Sequence, residues 1–447
     1  MSAAVARLRG LPIWSALGAR DFRLLWASEG VSVVGDQFHY VALAWLIISM
    51  TGSGLALGTV LIAAGVPRAL LLVPFGVLAD RRPPRSLMLA AHLGRGVIVG
   101  VVAGLAATGQ ATLPVLAALG ALFGAVDALY LPAQQAFLPR AVSQDRLPSA
   151  NALLQGTLQL ASIVGPPLAG VVIALVGTGS AFAIDAISFV AAAGFVMLMA
   201  TGAVVQAGAS HPAAEGAPAA PATAPGGPGE SFGESLRAGF RYLAGDPAIR
   251  MLLALSFLLN FAVNGPGAVG MAWLAQRRFD VGPVGLGLMG AGWAVGALIG
   301  TAVAGSVRLD RQGYVVVAAV LVSGVALAAV GLLAWFPGVL AALFVMGLAI
   351  GYLNVIGVSW LQARVEVAML GRVMSLVLVA GFGITPLSTA IAGALIDVNA
   401  TALFVGSGLL VVATGLAALA LRFPAVVDGS PRSIGAEEAP AELPLAG

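Results

Sequence analysis

Glu29, Asp36 and His39 fall within one apolar stretch near the amino terminus, and Arg68 falls within the next. Side chains of these types hold protons or pair with opposite charge, and in an apolar span they are costly enough to be functional candidates by default. Glu29 and Asp36 are seven residues apart and share a helix face, with His39 one turn beyond Asp36. Arg68, in Gly65-Val66-Pro67-Arg68, lies near the middle of its stretch, and antiparallel neighbours would bring it to the depth of Asp36. An ion pair there is expected to open when Asp36 takes a proton, linking proton or substrate binding to conformation. The same pair can equally be a static structural one, since a desolvated ion pair is no proof of function. His39 is either a proton relay or a hydrogen-bond partner of a neighbouring helix.

Neutral polar residues form a second set of candidates: Gln155 and Gln159, Asn260 and Asn264, and Asn354. Sparse polar groups in an apolar cavity suit a large amphipathic substrate better than a sugar, although each can also serve as a bond between helices. No Gly-Lys-Ser/Thr phosphate loop is present, which argues against an ATP-driven pump. The absence of cysteine excludes disulfides, thiolate metal sites and a cysteine nucleophile. Neither an enzyme nor a metal or other cofactor is expected.

The elements that hold these residues follow from composition. The 447 residues are 60% hydrophobic and 9% charged, with a mean hydropathy of +1.00, whereas roughly a quarter of a soluble protein is charged. The chain reads as an all-α polytopic membrane protein. Its positive charge is all Arg and is scattered between apolar spans, so nucleic acid is not an expected partner despite a pI of about 9.8. A span takes about 20 apolar residues, which predicts helices near 24–50, 55–79, 86–107, 112–135, 150–176 and 180–201. Six more are predicted near 250–275, 284–306, 313–334, 338–362, 370–394 and 401–422. The first span, preceded by Arg7, Arg9, Arg20 and Arg23, is expected to be an uncleaved anchor.

Loops around Thr51-Gly52-Ser53, Thr108-Gly109-Gln110, Gly177-Thr178-Gly179 and Trp335-Phe336-Pro337 carry no charge, while the intervening ones carry Arg81, Arg82, Arg85, Arg140, Arg146, Arg308, Arg311, Arg364 and Arg372. The positive-inside rule puts the Arg-bearing loops and both termini in the cytoplasm, with Arg277-Arg278 an exception on the outer side. Asp185, near the outer end of the sixth span, is expected to cap or pack. The expected domains are a six-helix bundle over 1–201, a disordered cytoplasmic linker over 202–235, a second bundle over 236–422 and a cytoplasmic tail over 423–447. The linker holds Pro218, Pro221, Pro225 and Pro228 and has no means of forming a core. Phe232, Leu236, Phe240 and Leu243 recur at helical spacing and predict an amphipathic helix before the seventh span. A parallel repeat is suggested by Tyr130-Leu131 and Tyr352-Leu353, each followed by a span with a Gly/Pro break, at Gly165-Pro166-Pro167 and at Gly383-Ile384-Thr385-Pro386.

Between the second and third spans stands Gly76-Val77-Leu78-Ala79-Asp80-Arg81-Arg82-Pro83-Pro84-Arg85. It resembles the Gly-x-Leu-Ala-Asp-Arg-x-Gly-Arg-Arg/Lys loop of the major facilitator superfamily, with Pro83 and Pro84 where that pattern has Gly and Arg. The resemblance implies twelve helices in two bundles related by a parallel repeat, and a gating latch made of Gly76, Asp80, Arg81 and Arg85 with Asp127 as an acidic partner in the fourth span. The alternative for the Arg residues is a topology signal alone. Gly165-Pro166-Pro167-Leu168-Ala169-Gly170 is similar to a motif associated with antiporters of the superfamily, and Gly165, Pro166 and Gly170 are the expected packing hinge. Gly35-Asp36, Thr51-Gly52-Ser53-Gly54-Leu55-Ala56-Leu57-Gly58 and Leu147-Pro148-Ser149-Ala150-Asn151-Ala152-Leu153 resemble the branch that contains enterobactin and macrolide exporters. That resemblance implies a monomeric exporter in the inner (plasma) membrane, driven by protons, for a small amphipathic molecule. A lysophospholipid or lipid flippase of the same fold, and a non-transporting membrane sensor, are the alternatives.

Overall fold

The computed structural model describes residues 12–200, 241, 245–306, 311–365, 369, 373, 374, 377 and 384–428. Among these residues the regular structure is entirely helical. The first half comprises α1 (Arg20–Thr51), α2 (Gly54–Arg81), α3 (Pro84–Ala107), α4 (Leu113–Ala141, interrupted by a turn at Ala128 and Leu129), α5 (Leu147–Val176) and α6 (Thr178–Leu198). The second comprises α7 (Pro247–Arg278), α8 (Gly282–Ser306), α9 (Gln312–Leu332), α10 (Phe336–Arg364) and α11 (Thr385–Ala420). All eleven are long and apolar enough to cross a membrane.

α11 is two spans joined end to end. Asn399 takes an extended backbone (φ −159°, ψ 99°), and its side-chain oxygen accepts the Ala402 N–H at 2.9 Å, capping a new helix. The described residues therefore form twelve apolar rods, in agreement with the sequence. The opening part of the eleventh predicted span lies largely outside the described residues, as do the linker over 202–235 and nearly all of the amphipathic helix expected before α7. After α11 a short helix, α12 (Phe423–Asp428), buries Phe423 and sets Pro424 against Gly313. Packed chain thus continues past residue 422, because Phe423 completes the apolar cover over the start of α9.

Helix pairing displays the repeat. In the first half α1 packs on α5, α2 on α4 and α3 on α6; in the second α7 packs on the first part of α11, α8 on α10 and α9 on α11. The halves meet through α5 against α8 and α2 against α11, two contacts that exchange under the same two-fold relation. Glycines bring the helices close: a Cβ on Gly287 would stand 2.3 Å from the Pro166 carbonyl oxygen, and one on Gly170 2.4 Å from that of Pro283. These contacts gather on the side of Thr51–Ser53. Toward the Arg-bearing loops, α2 presents Leu70 at 71% exposure, and Val73, Val77 and Asp80 are also exposed.

Candidate functional site

Two cations from neighbouring helices meet at Asp127, the last helical residue before the turn in α4 and near the middle of that span. Its carboxylate bridges Arg68 Nε of α2 at 3.0 Å and Arg95 Nη1 of α3 at 2.9 Å. The two guanidiniums differ sharply: the Arg95 side chain is 3% exposed, whereas that of Arg68 is 50% exposed. Arg95 lies between the rings of Tyr130 and Phe189, its Cζ 4.7 and 4.5 Å from their centroids. Arg95 also donates through Nη2 to His92 Nδ1 at 3.0 Å. Because a guanidinium can only donate, Nδ1 accepts and the His92 proton sits on Nε2, facing Ser28 Oγ at 3.3 Å; Ser28 in turn donates to the Ala192 carbonyl. His92 is completely buried, so this chain of bonds holds Arg95 in one orientation.

Glu29 accepts the hydroxyl proton of Tyr130, which ties α1 to α4 directly beside Arg95. About three turns further along α1, His39 Nδ1 faces Asp185 Oδ2 of α6 at 3.2 Å, and its ring stacks on Phe123 with centroids 4.9 Å apart. Gly35 makes this approach possible, since a Cβ there would lie 2.0 Å from Ser188 Oγ and 2.6 Å from Asp185 Oδ1. Asp185 therefore packs, as the sequence suggests, with His39 as the helix-to-helix partner. Asp36 lies between these groups, within the field of Arg95, Asp185, Asp127 and Glu29.

Two expectations are corrected. Arg68 pairs with Asp127 and forms no ion pair with Asp36. Position along a span does not say which helix is adjacent, and α2 packs along α4 with little contact to α1. Asp127 is likewise no partner of the Asp80-Arg81 turn. It stands fourteen residues from either end of α4, about 21 Å along a helix, too deep to reach a loop.

The other candidates distribute as follows. Asp80 and Arg81 are exposed and have no ion pair among the described residues, and the space around Gly76 is open. Arg85 instead donates to the Val196 and Met197 carbonyls at 3.0 and 2.6 Å, capping the end of α6. Gly165, Pro166 and Gly170 sit on the α5 face that meets the second half or α1, and α5 runs unbroken through both prolines. Gln159 crosses between halves to the Ala294 carbonyl at 3.2 Å. Asn260 bonds the Ser256 carbonyl and Asn264 bonds Thr385 Oγ1, both acting as helix bonds, while Gln155 and Asn354 are exposed. His92 and Arg95 were not singled out from sequence. The signal was available, since Arg95 lies near the centre of the third predicted span, where a charge is as costly as at Arg68.

The profile of the Major Facilitator Superfamily matches residues 25–377. The chain belongs to that superfamily. It is a multi-pass membrane transporter and not an enzyme. Among its relatives, the multidrug efflux pump Tap of Mycobacterium tuberculosis H37Rv is 26% identical over 423 residues, covering 91% of this chain and 93% of Tap. The enterobactin exporter EntS of Citrobacter koseri is 28% identical over 360 residues, covering 79% and 80%. A crystal structure of a bacterial homologue of the iron transporter ferroportin, in an inward-facing state, shares the fold with a TM-score of 0.67 at 16% identity, over 92% of this chain and 99% of the other.

Proposed function

We propose that this superfamily transporter is a proton-coupled exporter of a small amphipathic molecule, working by alternating access. The observation that carries the reading is the mid-membrane cluster. Four carboxyl groups, Glu29, Asp36, Asp127 and Asp185, lie in one neighbourhood with two guanidiniums, Arg68 and Arg95, and Asp127 bonds both. The cluster holds two more carboxyls than guanidiniums, and an excess of buried negative charge is what proton uptake relieves. His92 cannot supply a second N–H while its Nδ1 accepts from Arg95, so proton exchange in this reading falls to the carboxyls. Arg95 is the fixed cation and Arg68 the movable one, half exposed toward the open side. Proton loss or gain redistributes Asp127 between the two, and the position of α2 follows.

Orientation comes from the Arg-bearing loops, which belong in the cytoplasm together with both termini. The described contacts between halves then close the outer side, and the open side faces the cytoplasm, the state that loads a substrate for export. The relatives named for multidrug and enterobactin efflux support that direction. The lipid bilayer, protons and a small-molecule substrate are the partners, and the protein acts as a monomer in the inner (plasma) membrane. Exposed Gln155 and Asn354 offer the substrate its polar contacts, one from each half.

The test is uphill export in proteoliposomes carrying a pH gradient, with a macrolide and a cationic dye as probes and internal pH recorded in parallel. Asp36→Asn and Asp127→Asn should each abolish uphill export and proton flux while leaving substrate binding measurable. Wild-type export and proton flux in both variants would remove the coupling role from these two carboxylates.

A further inference from the structure

Asp397, on the first part of α11, bonds across to the other half of the molecule. Its carboxylate accepts from Ser53 Oγ at 2.6 Å, from the Gly54 N–H at 2.7 Å and from the Leu55 N–H at 3.1 Å. Those are the free donors of the first turn of α2, so a second-half carboxylate satisfies the amino-terminal end of a first-half helix. Arg277 of α7 stands at the same place. Its guanidinium occupies the space over Gly52, whose left-handed backbone (φ 65°) ends α1, and its charge acts on Asp397. Arg278 is held nearby by the Gly331 carbonyl at 2.6 Å. The helices beneath are seated closely, with Gly54 against Ile396 and Gly58 within 3.1 Å of the Thr389 carbonyl oxygen, measured from a Cβ built on each.

We infer that Asp397, with Ser53 and Arg277, is the clamp that holds the Thr51–Ser53 side shut, and that it must release for the transporter to open on that side. The Arg277-Arg278 pair, the one departure from the charge pattern of the loops, is thereby explained: Arg277 serves the clamp instead of topology. Opening replaces three charge-assisted hydrogen bonds with water, and the cost sets the balance between the two conformations. The inference rests on the alternating-access reading but needs neither proton coupling nor a known substrate.

The chain has no cysteine, so spin labels can be placed without background. One pair, Gln110→Cys and Trp335→Cys, reads the distance between halves on the clamp side; another, Asp145→Cys and Ser306→Cys, reads the opposite side. Measured in nanodiscs without substrate or pH gradient, the unmodified clamp should give a short first distance and a long second one. Asp397→Ala should raise the population with the first distance long and the second short by about tenfold or more. Arg277→Gln and Ser53→Ala should move it the same way by less. Parent-like distances in Asp397→Ala would overturn the inference. If that variant fails to insert, Asp397→Asn and Ser53→Ala decide the matter, and parent-like distances in both overturn it. Because the distances are read without transport, a failure of proton coupling leaves this result standing.

Discussion

Arg95 is bonded to Asp127, to His92 and to two aromatic faces, and it is nearly inaccessible. Removing one partner of such a buried pair strands the other, which typically costs about 3–5 kcal/mol, whereas replacing both with apolar residues is often close to neutral. Asp127→Leu alone should therefore lower the melting temperature in detergent. Adding Arg95→Met should recover much of that loss without recovering transport. If the double variant is no more stable than the single one, the pair is not the unit that the geometry describes. Arg68 should behave differently, because half of its side chain is already exposed: Arg68→Met should change transport with little effect on melting.

At the scale of the element, α7 begins at Asp246, whose carboxylate accepts the N–H groups of Ala248 and Ile249 and bonds Arg364 Nε of α10 at 2.6 Å. Partial burial pushes its pKa up, but the Arg364 hydrogen bond and the helix N–H groups outweigh it and leave the carboxyl below its ordinary value. Its contribution to stability is thus present above the unfolded carboxylate value of about 3.9 and is lost as pH falls through the lower folded value. Asp246→Ala should cost about 1–2 kcal/mol at neutral pH, and a melting series should show the difference from the parent shrinking below about pH 4. A constant difference across that range would mean that packing, not charge, is lost. The turn at Arg81 makes an element-scale prediction of its own. With Asp80 and Arg81 exposed while the opposite side is closed, the latch reading expects them to engage when the molecule opens outward. Asp80→Asn and Arg81→Ala should then lower turnover more than substrate affinity, and unchanged rates in both would leave these residues as topology signals.

For the whole molecule, twelve rods and alternating charge require that successive loops lie on opposite faces. Reporter fusions after Thr108 and after Arg140 should report opposite sides of the membrane, and the same side for both would sink the topology. The close contact of α5 on α8 should set how the halves rock. Gly287→Val places side-chain atoms into the Pro166 carbonyl. It should pry that side open and reduce export by about tenfold or more, measured by the same label pairs as the clamp. Replacing 205–228 by a Gly/Ser segment of equal length should preserve transport, a result that insertion with complete loss of export would refute.

Much of this was legible in the sequence. Apolar length and scattered Arg were enough to place the spans, because a bilayer admits few other solutions for stretches like these. The Asp80-Arg81 turn and the Gly165-Pro166 segment marked the superfamily, since each keeps a local pattern that a single helix or turn can carry. Position along a span was legible too: Asp36 falls near the middle of α1 and Arg68 near the middle of α2. Adjacency was not. Sequence spacing orders residues along a helix but not helices around a bundle, and only packing put Arg68 beside Asp127 instead of Asp36, and Asp127 far from the loop it was matched with. Tertiary structure alone also showed that Arg95 and Arg68 share Asp127, and that Asp397 caps a helix more than three hundred residues away. In both cases the meaning of a charge depends on which backbone or side chain from a distant part of the chain is brought within three ångströms of it, and that is decided by how glycine-lined helices seat against one another.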